Sequence, residues 1–560
     1  MYEAAPTLTA ARRKELGAFY TPAAMASQLV RWAVRRPTDT AIDPSFGGLV
    51  FLTAAYDRLR DLGVSQEDAR QQLFGGELDE QAYAAALRDH RFGTSTSRFV
   101  HGDFLGFAPG LELPLVDAVV GNPPYVRYQG FNTAGSHGHD LAARAGVRLT
   151  RLSSSWAPFV VHGTSFLKPG GRMAQVLPAE ILHAQYAEQV LDYLRRSFAA
   201  VTLVLFEQRV FPGALEEVVL LLAEGHGIGA ADGVRVVEVA DLAALDVDQL
   251  VRADDRRELS DGDEGDTLLL QLLPDATRDL YRALRRTADV ATIGALASVD
   301  IGAVTGANDF FLARSNDTRV PERFLRPAVS KAAHVIGARF TAADHRRLSD
   351  DGKPMHMIVI GREHPEEDLT DVRPYLTLGD TSGISGRYKC RVRSPWWSVP
   401  LPKHRAPAAF MTYCSSEHPR VVLNEARALH TNTVHGLTAT GALDAAEIAA
   451  RFLNSLTLLS VELVGRSYGG GVLKLEPTEA EAALLPIAGE QLAPRLGEID
   501  DLVRRGSLKE VLDVIDPLLL GSDGLGLSNE EIARLRAGAE KLRSRRRARG
   551  KAPQPEQLTL

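Results

Sequence analysis

Residues 117–130, "DAVVGNPPYVRYQG", run from an apolar stretch straight into Asn-Pro-Pro-Tyr. Proline offers no backbone donor and cannot continue a central strand, so Asn122–Tyr125 must be a stiff loop at a strand end. Stiff loops at the carboxyl ends of strands are where open α/β sheets place their chemistry. The flanking sequence extends the pattern. "TAIDPSFGGLVFLTAAYDRL" reads as strand, glycine turn and helix, and "FGGELDEQAYAAAL" repeats that order. "RFVHGDFLGF" is a further strand end. "RMAQVLPAEIL", "AVTLVLFEQRVF" and "EEVVLLLAE" add strands, with the helical "QYAEQVLDYLRRSF" between the first two. Strands alternating with helices predict a mostly parallel, doubly wound sheet over about 38–225. A helix is expected over 22–36, opened by Pro22.

The bulk numbers fit this reading. The chain has 560 residues, 45% hydrophobic and 24% charged, with a net charge of −7, so two or three globular domains are expected. Cys390 and Cys414 are too few for a disulfide scaffold or a four-cysteine zinc site, and they suit a reducing cytoplasm. No apolar run reaches the ~18 residues of a membrane span, and the N-terminus lacks a signal-peptide core. The acidic balance does not advertise nucleic-acid binding, but a local basic face suffices for it.

Residues 225–266 end in "SDGDEGD" and mark a boundary. The expected organisation is an α/β domain over 1–250, a linker over 251–289, and a mixed α+β domain over 290–488. A helical segment with a basic tail follows over 489–560, its last helix capped by Ser528 and Glu531.

Four strand ends carry candidate chemistry. The glycine turn of "DPSFGG" offers backbone amides to a polar or anionic group. Glu77 can accept both hydroxyls of a ribose, or cap a helix. Asp103 beside Phe104 suits a purine, or is a solvated turn. Asn122 Oδ1 and the Pro123 carbonyl, whose following residue lacks an N–H, converge as acceptors for an exocyclic amine. Tyr125 offers a flat face for stacking.

Together these residues resemble the N6-adenine DNA methyltransferases of the amino class, in the motif order of the TaqI type. "GAFYTP" (17–22) is similar to the segment that closes over S-adenosylmethionine, which implies cofactor contacts for Tyr20 and Thr21. "DPSFGGLVF" (43–51) is similar to the methionine-binding turn, which implies roles for Asp43, Pro44 and Gly47. The family usually has a further glycine where Leu49 stands, and Leu49 is expected against the carboxypropyl part of the cofactor. Glu77 matches the ribose acid and Asp103 the adenine acid, with Phe104 beside it. Asn122, Pro123, Pro124 and Tyr125 match the catalytic motif. Phe159 matches an aromatic packing on the cofactor adenine, and Phe211 in "RVFPGA" a second aromatic around the flipped base. "TGANDFFL" (305–312) and "GRSYGGGVLKLEP" (465–477) look like recognition-domain segments.

The resemblance implies a Rossmann-like catalytic domain followed by a target-recognition domain. It implies methyl transfer from S-adenosylmethionine to N6 of a flipped adenine in double-stranded DNA, without metal. It also implies work as a restriction-modification enzyme, with a separately encoded endonuclease as an expected partner. Lys389, Arg391, Arg393 and Lys403, around "PWWSVP", are expected on DNA phosphates, and the basic "RSRRRARGK" tail in a minor DNA role. His430 and His435 are read as structural or recognition residues. Three alternatives stay open: an RNA adenine methyltransferase, a protein-glutamine methyltransferase with the same motif, and an inactive DNA-binding module.

Overall fold

The computed structural model describes residues 21–92, 98–126, 134–150, 153–182, 184–208, 210, 217–252, 267–362, 364, 366–402, 406–468 and 470–550. The chain divides into two compact units at Leu272/Leu273, the second running to Arg547.

The first unit is built on an eight-stranded sheet. Its strands are β1 (Ala41–Asp43), β2 (Leu73–Glu77), β3 (Phe99–His101), β4 (Val116–Gly121), β5 (Leu167–Pro178), β6 (Phe198–Phe206), β7 (Val218–His226) and β8 (Val234–Val239). The order is β3-β2-β1-β4-β5-β7-β6-β8. β1 pairs parallel with both β2 and β4, so the strand order reverses between β1 and β4. In open α/β sheets that reversal opens a crevice at the carboxyl ends of the two strands. Here those ends are Asp43 and Gly121, the residues that lead into the two central motifs.

The doubly wound expectation holds, with two refinements. β7 runs antiparallel to both β5 and β6. Its apolar run is continuous and buried, which gives no signal of direction. "VRVVEV" (234–239), read from sequence as boundary, forms the edge strand β8, parallel to β6. The first helix is Ala23–Ala33, three residues shorter at its end than expected. Asp39 accepts the Arg35 and Arg36 N–H groups at 2.9 and 3.1 Å, which diverts them from the helical ladder. Asp39 is buried and also holds the Arg172 guanidinium at 2.8 Å. Met25, Leu29, Val30 and Trp32 on this helix pack with Phe51, Phe92 and Phe99 into one core.

The second unit is mixed α+β. Its largest sheet has five strands, ordered Ala297–Ile301, His435–Ala439, Ala409–Met411, Val421–Asn424, Arg339–Phe340. The unit takes in the helix Asp275–Arg286, where the buried Tyr281 hydroxyl meets Ser460 Oγ at 3.1 Å. It also takes in the helix Leu496–Arg505, whose Asp500 accepts the Ala338 and Arg339 N–H groups. Ser528 and Glu531 do cap the last helix, Asn529–Gly550. The basic tail, expected in a minor DNA role, is in large part paired within the protein. Arg543 bonds Glu540, Arg547 bonds Glu417, and the buried Arg546 is held by Glu462 at 2.7 Å.

Candidate active site

The crevice at the β1/β4 reversal collects the strand-end residues, and their hydrogen bonds link one loop to the next. Glu77, at the end of β2, accepts the Gly47 N–H at 2.7 Å and the Asp79 N–H at 2.8 Å. It thereby ties its own strand end to the glycine turn after β1. Asp43 is 1% exposed. Burial, with Glu77 nearby, pushes its carboxyl up to about 8, although the Ser45 N–H at 3.1 Å opposes the shift. Glu77 is raised as well, chiefly by burial. Two desolvated acids side by side make a place that favours a cation or a set of hydroxyl donors.

Glycine is required at Gly121. Its φ is 153° and a Cβ there would lie 2.7 Å from Asp43 Oδ1. Leu49 has φ 65°, left-handed, at the start of the helix Val50–Asp61. That conformation explains a glycine preference at this position, since an L-residue there costs about 1–2 kcal/mol. Leu49 offsets the cost by burial, for its side chain joins the core cluster beside Met25 and Phe51.

The loop 122–125 is held from three sides. Asn122 Nδ2 donates to the buried Thr21 hydroxyl at 3.1 Å, which fixes the orientation of the amide. The Tyr125 hydroxyl lies 2.5 Å from Asn122 Oδ1 and 2.9 Å from the Val176 carbonyl. A hydroxyl has one proton, so it serves one of these acceptors at a time. Ser45 Oγ donates to the Asn122 carbonyl at 3.4 Å. Ser155 Oγ donates to the Pro124 carbonyl and accepts the Val126 N–H at 2.9 Å, while its own N–H bonds the Val126 carbonyl. The Pro123 carbonyl has no such partner among the described residues.

Sequence reasoning missed Ser45 and Ser155. The only sequence signal for Ser155 is a run of three serines, which does not single out the third. Ser155 directly precedes the helix Trp156–Thr164, which carries Phe159, so one residue joins the motif loop to that helix, its hydroxyl serving the loop and not capping the helix. Ser155→Ala is expected to lower kcat about tenfold with KM for the cofactor nearly unchanged, and Ser155→Thr to restore most of it. Steady-state kinetics on the three proteins checks this.

The remaining candidates separate clearly. Asp103 caps the short turn Phe104–Gly106 through the Leu105 N–H at 3.0 Å, with its other oxygen unused by that cap. Phe104 is buried among Phe107, Phe159, His162 and Phe166, its ring 5.7 Å from that of Phe159. Both rings are thus largely occupied by each other. Pro44 and Pro123 are buried, and Pro124 and Gly47 are partly exposed. Tyr20, Phe211 and Lys403 lie outside the described residues.

In the second unit Lys389 and Arg391 are exposed. Arg393 differs from the expectation of a phosphate contact: its guanidinium donates to the Thr305 carbonyl at 2.9 Å and to that of Val304. Trp396 and Trp397 pack against the core of this unit. His430 is buried and pushed down to about 4, and His435 bonds the Leu475 carbonyl at 2.9 Å. Among the described residues no group of three or more His, Cys, Asp or Glu side chains could hold a metal ion. No described helix is long and apolar enough to cross a membrane.

Comparison with known proteins agrees with this geometry. The family model "N-6 DNA Methylase" matches residues 1–239, and that of "Type II methyltransferase M.Eco57I, C-terminal domain" matches 267–520. Together the two matched segments and the relatives support an N6 DNA methyltransferase of restriction-modification type. It is 28% identical over 493 residues to the Type II methyltransferase M.XamI of Xanthomonas campestris pv. amaranthicola, covering 85% of this chain and 86% of that one. It is 20% identical over 501 residues to M.AccI of Acinetobacter calcoaceticus, covering 84% and 86%. Its fold is similar to that of the type IIL restriction-modification enzyme MmeI, solved in complex with DNA. There the TM-score is 0.54 and the identity 13%, over 95% of this chain and 76% of that one.

Proposed function

We propose that this chain is a site-specific DNA methyltransferase that moves a methyl group from S-adenosylmethionine to N6 of an adenine flipped out of duplex DNA. It would serve as the modification enzyme of a cytoplasmic restriction-modification system, with a separately encoded endonuclease as companion. The observation that carries the reading is the acceptor count of the loop. Ser45 and Ser155 occupy the carbonyls of Asn122 and Pro124, which leaves the Pro123 carbonyl for an incoming amine, beside Asn122 Oδ1, whose Tyr125 hydroxyl partner has the Val176 carbonyl as a second acceptor.

The cofactor fits the residues present. The buried pair Asp43 and Glu77 suits its cationic methionine end and its ribose hydroxyls, and the bare Cα of Gly121 makes room for the Asp43 carboxylate. When bound, S-adenosylmethionine supplies a methyl group activated on a sulfonium. The chain's own residues do the rest. Asn122 Oδ1 and the Pro123 carbonyl accept the two N–H bonds of the target amine and aim its lone pair, which is catalysis by positioning and electrostatics. The Tyr125 hydroxyl turns to the Val176 carbonyl as the amine arrives, and its ring stacks on the base. Stacking recovers part of the few kcal/mol that flipping costs. The amine proton leaves after attack, so no strong base is needed.

The raised acids give a pH signature. In the cofactor-free protein Asp43 holds a proton that the unfolded chain releases above about pH 4. Its stabilising contribution is full below that pH and is lost as pH rises through about 8. Binding a cationic ligand against Asp43 expels the proton, so affinity should rise between pH 6 and about 7.5 with nearly one proton released at the lower end. Calorimetry in buffers of different ionisation enthalpy measures this. Absence of proton release would place the methionine end elsewhere.

Transfer of labelled methyl to duplex DNA, RNA and protein, followed by nucleoside analysis, tests the function. N6-methyladenine from duplex DNA alone is expected. Label in RNA or in glutamine would select the corresponding alternative.

A further inference from the structure

Residues 387–393 of the second unit form a surface turn with a held side and a displayed side. On the held side Cys390 is fully buried. The Arg387 guanidinium pairs with Asp309 at 3.0 Å, and Arg393 grips the carbonyls of Val304 and Thr305. A Cβ at Gly306 would lie 2.6 Å from Lys389 Cβ, so the two segments touch at backbone distance. Every one of these anchors ends in residues 304–309, that is, in Val304 and the start of "TGANDFFL".

The displayed side is of mixed character. Tyr388 is 65% exposed and Val392 62%. They stand four residues apart around the helical turn Tyr388–Arg391, hence on one face. Lys389 and Arg391 are exposed and carry no ion pair among the described residues, with Lys389 Nζ 5.6 Å over the Tyr388 ring. Val304, 37% exposed, adjoins them through the Arg393 grip. Apolar side chains this exposed, on a segment this firmly held, mark an interaction site.

We infer that this turn is a DNA-contacting wedge. Lys389 and Arg391 take backbone phosphates, while Tyr388 and Val392 pack against sugars and base edges. Arg393 is a positioning residue that holds the turn and does not itself meet DNA. The inference rests on the reading of the chain as a DNA methyltransferase. Duplex DNA is the occupant that the chemistry selects: two cations with no ion pair among the described residues lie between the two members of an apolar pair, which complements a polyanion whose grooves expose sugars and base edges.

The full-length chain tests it, with a random-sequence duplex for salt-dependent binding and unmethylated plasmid DNA for methyl transfer. Lys389→Gln with Arg391→Gln should weaken binding to any duplex and flatten the log–log salt slope by about two units. Tyr388→Ser with Val392→Ser should leave that slope unchanged and lower kcat/KM for DNA at least tenfold, with S-adenosylmethionine affinity unaltered. Arg393→Gln should lower the thermal midpoint, which the other substitutions leave in place. Wild-type DNA affinity, slope and turnover in both pairs, beside a wild-type chain that methylates DNA, would overturn the wedge alone. That result would also follow if the cations served an acidic protein. A wild-type chain that puts no methyl into DNA would overturn the underlying function and the wedge with it.

Discussion

Asn122→Ala is expected to lower methyl transfer about a thousandfold or more while S-adenosylmethionine affinity changes less than about twofold. The asymmetry follows from geometry. Asn122 is braced through Nδ2 by Thr21, and in the proposed mechanism its Oδ1 accepts from the target amine, so its loss would remove an acceptor that matters as the amine becomes nucleophilic. Asn122→Asp is the sharper variant, because it keeps the acceptor and loses the Nδ2 donor to Thr21. It should retain part of the activity, with the loss in kcat and not in cofactor binding. Turnover measured beside isothermal titration separates these outcomes. Near-normal turnover of the alanine variant would remove Asn122 from the mechanism.

Glu77→Ala is expected to weaken S-adenosylmethionine binding by about 2 kcal/mol, close to thirtyfold. Glu77 accepts from Gly47 and Asp79, and the proposed role adds the ribose hydroxyls to these partners. Glu77→Gln keeps the shape and drops the charge, so it should fall between wild type and alanine. DNA affinity without cofactor should stay the same in both variants. A glutamine variant with wild-type cofactor affinity would assign Glu77 to the turn alone.

The parts of the fold legible in sequence are those where one residue type is forced. Two prolines after an apolar run can only end a strand, and the Asn-Pro-Pro-Tyr loop does sit at the end of β4. The glycine turn and Glu77 were legible because close backbone approach needs glycine and a strand-end acid needs partners. The direction of β7 was not, since a buried strand shows the same continuous apolar run either way. The partners of Arg393 were hidden for a related reason. Its position in a basic run carries no sign of the Val304 and Thr305 carbonyls that claim it, which lie nearly ninety residues earlier in the chain. The basic tail hid its partners in the same way, Glu462 being remote from Arg546. Leu49 is the reverse case: the departure from glycine was visible, but only the backbone shows that the residue there must be left-handed.

The most direct test of the central claim is methylation-sensitive sequencing of DNA from a host that lacks adenine methylation and expresses either this chain or its Asn122→Ala variant. The account predicts N6-methyladenine at one fixed position of one short motif with the wild-type chain, and none with the variant. Unmodified adenine with the wild-type chain, or equal methylation with both, would contradict it.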